Sequence, residues 1–132
     1  MASTALKEVR AKTLPEIRLD EAVDMFHNWL REIPCECHAF EFANELLCKQ
    51  FLSVIKRTLR LKNLAQDCLS EGEFGSANNY DSRALEAHSR FFKLLRDSVE
   101  MLSNDKELAS DIVFDTDYLL SEIINELRLM DR

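Results

Sequence analysis

Glycine and proline are the scarcest structural residues here. The 132-residue chain holds two of each, Gly72 and Gly75 close together and Pro15 and Pro34 in the first quarter. Average usage at this length would give about 9 Gly and about 6 Pro. Few breakers mean few tight turns, so phosphate-cradling loops and nucleophile elbows have almost nowhere to form. Long apolar runs are also missing. The longest stretches are three residues, as in Ile112-Val113-Phe114, far short of a membrane span. The opening MASTALKEVRAKTLPEIR has no apolar core of a secretory signal, so the expected compartment is the cytosol. Without such a signal, the four cysteines (Cys35, Cys37, Cys48 and Cys68) read as reduced thiols and not as a disulfide framework.

What remains is 46% hydrophobic and 31% charged, a globular balance sufficient for one domain over residues 1–132. The polar residues 1–13 read as frayed. Thr13-Leu14-Pro15-Glu16 then offers a capping box with proline in the first turn. Leu19, Val23, Phe26, Leu30 and Ile33 follow at helical spacing, with Trp29 beside them, until Pro34 ends the helix. A second, unusually long helix spans about residues 38–70, its face traced by Phe40, Ala43, Leu47, Phe51, Val54, Leu61, Ala65 and Cys68. Segment 71–80 collects both glycines and reads as a loop, with Asn79 or Asp81 capping a third helix. That helix carries the stripe Leu85, His88, Phe92, Leu95, Val99 and Leu102. Asn104 to Glu107 form another capping box, and a fourth stripe runs Leu108, Ile112, Leu119, Ile123, Leu127 and Met130. Four amphipathic segments with short connections predict an all-α antiparallel helical bundle.

Chemistry-bearing constellations are sparse. Cys35, Cys37 and His38 could hold a soft metal, but the Cys-x-Cys spacing is unlike the usual zinc elements and no second pair returns. Glu-x-x-His motifs of di-metal bundles are absent; the nearest substitutes are Asp24-x-x-His27 and His38-x-x-Glu41. His88 reads as a core-edge histidine bonded to a carbonyl, since no nucleophile or acid is placed beside it by sequence. With no nucleophile–base pair and no paired carboxylates, the chain is expected not to be an enzyme and to need no cofactor.

Charge is the more informative property. Overall the chain carries −7, which disfavours nucleic acid and anionic lipid. Residues 46–66 nevertheless hold five bases and no acid, while residues 105–132 hold eight acids and three bases. At about 100° per residue, Lys49, Lys56 and Arg60 fall within about 40° of one another, opposite the apolar face, with Arg57 and Lys62 flanking. Such a stripe either pairs internally with the acidic last helix or meets an acidic protein surface. Phe40 and Phe42 cannot both face one core, and with Trp29 and Phe91 they suggest a second apolar surface, covered in a homodimer. The expected function is a non-enzymatic, dimeric, cytosolic protein acting through protein–protein interaction as a regulator, adaptor or chaperone. The alternatives are a metal- or ligand-binding bundle using Cys35, Cys37 and His38, and a nucleic-acid-binding domain using residues 49–62.

Overall fold

A computed structural model describes residues 11–35 and 39–130. Four helices form in chain order: α1 (Leu14–Arg31), α2 (Ala39–Ser70), α3 (Phe74–Ser103) and α4 (Lys106–Met130), with no strand among the described residues. Cross-helix partners show that neighbours run antiparallel. Thr58 meets His88 and Lys62 meets Asp81 along α2–α3, and Arg18 of α1 reaches Glu126 of α4. The helices enclose one core: α1 lies beside α2, α2 beside α3, α3 beside α4 and α4 back beside α1, and α2 also touches α4 directly.

Helix ends follow local chemistry. Thr13 adopts an extended backbone and its Oγ1 accepts the Glu16 N–H at 3.3 Å, with Pro15 in the first turn. At the end of α2, Gly72 takes φ +78, which lets the Glu73 N–H reach the Cys68 carbonyl at 2.7 Å and the Gly72 N–H reach that of Leu69 at 3.1 Å. Only glycine adopts that backbone without strain, and the two bonds satisfy carbonyls that the helix leaves open. Asn104 ends α3 at φ 53, and Asp105 begins α4 by accepting the Leu108 N–H through Oδ1 at 3.1 Å. The cap of α4 is thus Asp105, one residue later than the expected capping box, because Asn104 is committed to the left-handed turn.

The loop expected over 71–80 is a helix from Phe74 onward, leaving a connection of only three residues. No side chain caps this start at Glu73, and Gly75, Ser76, Asn78 and Asn79 are poor helix formers. Tertiary packing overrides them: Ala77 and Ala84 are buried, as is Ala65 on α2, where the short turn and the Lys62–Asp81 ion pair bracket the two helices. Small side chains fill this seam. Ala84→Leu is accordingly expected to overpack it and cost about 1–3 kcal/mol, measured as a lower urea midpoint with helicity retained.

The main core is built on three phenylalanines from three helices. Phe26, Phe51 and Phe91 stack with ring centroids 4.5, 6.0 and 5.7 Å apart. Leu30, Leu47, Ile55, Leu95, Val99, Leu120 and Ile123 complete it. Here two expectations are corrected. Phe91 is 5% exposed and belongs to the core, whereas Leu85 is 67% exposed. The buried face of α3 is set by Ala77, Ala84, Phe91, Leu95 and Val99, a rotation from the stripe that bulky residues alone suggested. Trp29 and Phe40 pack half-buried against the core, so of the four aromatics expected to form a second apolar surface only Phe42 stands exposed.

Candidate functional site: a basic face on the second helix

α2 turns two unlike faces outward and inward. Inward lie Leu47, Phe51, Val54, Ile55, Thr58, Leu61 and Ala65; on the opposite side Lys49, Lys56, Arg57 and Arg60 are all exposed. Helical periodicity alone produces this segregation, since positions 49, 56 and 60 are spaced seven and four residues apart, about two turns and one. These four cations line a shallow surface groove together with Leu52 and Ser53. Among the described residues none of the four has a carboxylate within ion-pair distance. Among the described residues the internal pairing envisaged for the stripe is not made: α4 instead engages α1, where Arg18 donates to both Glu126 oxygens at 2.8 and 2.9 Å. That bidentate contact raises the Arg18 guanidinium further and holds the Glu126 carboxyl below its ordinary range.

Lys62 behaves differently from its neighbours. It is half-buried and bonded to Asp81 at 3.3 Å across the α2–α3 seam, so its charge is already matched. A further cation stands beside the stripe. Arg90 of α3 lines a second cleft with Arg57, Gln50 and Ser53, and is itself loosely paired with Glu86 at 4.0 Å. The signal for it was weak, because Arg90 sits in an otherwise mixed segment and only the α2–α3 register brings it beside Arg57.

Of the other expected site residues only Cys35 falls among the described ones. Cys35 is a half-buried free thiol packed against the core, while Cys37 and His38 lie outside the described residues. Among the described residues no group of three or more His, Cys, Asp or Glu could hold a metal ion. Burial pushes the Cys48 thiol up to about 11, with Asp24 adding to it, and also raises Cys68; both behave as small apolar groups.

His88 bonds the Thr58 hydroxyl at 2.9 Å and not a carbonyl as expected, tying α3 to the centre of α2. Burial lowers its pKa below the ordinary 6.5; Asp117 opposes that shift and Lys62 reinforces it. The folded state therefore prefers the neutral ring, so this contribution to stability is present above about pH 6.5 and is lost as the pH falls through the folded-state value. His88→Gln is expected to reduce the difference in denaturant midpoint between pH 7 and pH 5. Parallel titrations of both proteins check it, and an unchanged difference would contradict this account.

The chain is thus an antiparallel helical bundle that presents a basic face on its longest helix. No protein-family model, curated protein or solved structure matches it. Among the described residues no helix is long and apolar enough to cross a membrane.

Proposed function

We propose that the protein is a non-enzymatic interaction module that docks the acidic surface of a partner protein through Lys49, Lys56, Arg57 and Arg60. One observation carries this reading. In a chain of net charge −7, four cations stand exposed on a single helical face with no internal carboxylate among the described residues to neutralise them. Such a face steers an acidic partner and fixes its register more than it stabilises the bundle itself. The overall acidity opposes a nucleic-acid backbone, whose affinity depends on net positive charge. Free, partly buried Cys35, Cys48 and Cys68 fit a reducing compartment.

The test is affinity capture from cell extract by the wild type and by the triple variant Lys49→Glu, Lys56→Glu and Arg60→Glu. Loss of an acidic protein from the captured set, with the melting temperature unchanged, supports the proposal. Identical capture by both proteins would end it.

A further inference from the structure

The solvent side of α4 carries a stripe of the opposite sign. Asp111, Asp115 and Glu122 are exposed and fall within about 40° of one another on the helix. Their spacing, read from the C-terminal end, is seven and then four residues. The basic stripe has that same spacing read forward: Lys49 to Lys56 is seven, and Lys56 to Arg60 is four. Laid antiparallel, the two helices put Lys49 opposite Glu122, Lys56 opposite Asp115 and Arg60 opposite Asp111 simultaneously. The ladder is about 16 Å long at about 1.5 Å per residue.

Within one chain these stripes do not meet. α2 and α4 pack against each other, but each stripe stands exposed outside the buried positions of its helix, and among the described residues no ion pair joins the two. The same alignment sets Leu52, in the floor of the basic groove, on the flank of Tyr118 and Phe114, which are 64% and 73% exposed. Three solvent-exposed ion pairs hold little by themselves, so this aromatic flank supplies the apolar area a docked pair requires. Tyr118 sits beside Glu122, whose carboxylate raises the phenol's pKa, so the ring adjoins the end of the acidic stripe.

From these matched spacings we infer that the occupant of the basic face is a second copy of this chain, docking head to tail through its α4. The inference rests on reading the α2 stripe as a docking surface. Because donor and acceptor surfaces are different patches, the contact is heterologous and continues into a ring or a short chain, unlike a two-fold dimer.

Sedimentation equilibrium over about 10–500 µM protein tests it. In about 20 mM salt the weight-average mass should climb with concentration, and in about 500 mM salt it should return to that of the monomer as screening shortens the range of the charges. Lys49→Glu/Lys56→Glu/Arg60→Glu and Asp111→Lys/Asp115→Lys/Glu122→Lys should each be monomeric alone. Mixing the two should restore association, since one variant then carries only acidic stripes and the other only basic ones. Circular dichroism confirms that each variant is folded. A wild type that stays monomeric at low salt, or a mixture that fails to associate, overturns the inference. If the wild type is monomeric but the α2 reversal still abolishes capture of an acidic protein, self-docking falls and the docking function stands. If the wild type assembles and capture is unaffected, the reverse holds.

Discussion

Phe51→Ala is expected to destabilise the bundle by about 3–5 kcal/mol, the loss typical of a fully buried aromatic. Phe51 is fully buried and its ring packs against both Phe26 and Phe91, at 4.5 and 5.7 Å. Those neighbours belong to α1 and α3, so filling the void would require two helices to move toward α2 together. Relaxation is therefore limited, and the cavity persists. A domain of this kind has about 5–15 kcal/mol in total, so the variant should unfold at a much lower urea concentration. Phe42→Ala supplies the contrast: with its side chain 73% exposed on the same helix, it should shift stability by no more than about 0.5 kcal/mol. Urea titration followed at 222 nm checks both. Equal effects would mean that the three rings do not anchor the core.

Reversing Lys49, Lys56 and Arg60 together is the second large effect, and it falls on binding. Each exposed pair contributes about 0.2–1 kcal/mol, and reversal replaces each attraction with a repulsion of similar size, so capture of an acidic partner should weaken on the order of 100-fold at low salt. The difference should shrink as salt rises. Folding should hardly respond, because among the described residues these side chains have no ion pair to lose. Lys62→Glu is the informative opposite: it would set a carboxylate against Asp81 and lower the melting temperature while leaving capture close to wild type. Titration of immobilised wild-type and variant proteins with the captured partner, beside thermal melts, separates the two behaviours. A triple variant that melts early would instead mean that the stripe stabilises the bundle.

Most of the architecture was legible because helix signals were strong where they occurred. Thr13 with Pro15 fixed the start of α1, Pro34 followed its end, and the breaker-free run gave α2 within a residue of Ala39–Ser70. The misreadings share one cause. Segment 74–80 is unfavourable by local propensity and becomes helical through packing of Ala77 against a neighbouring element, which no local pattern reports. The same small residues set the rotation of α3, so a stripe drawn through Leu85 and Phe92 missed Phe91. Of the candidate site, the cations on α2 were visible because all sit on one helix. Arg90 and the Thr58–His88 bond depend on helix register and were not.

The unbroken course of α2 has a thermodynamic corollary. One rigid segment carries Phe51 and Ile55 on one side and Lys49, Lys56 and Arg60 on the other, so the spacing of those cations exists only while the core is formed. Binding at that face and folding are therefore linked equilibria. A ligand present at a hundred times its dissociation constant would raise stability by about 2.7 kcal/mol, enough to report itself as an upward shift of the melting curve. The protein's own unfolding transition can thus screen for what it binds.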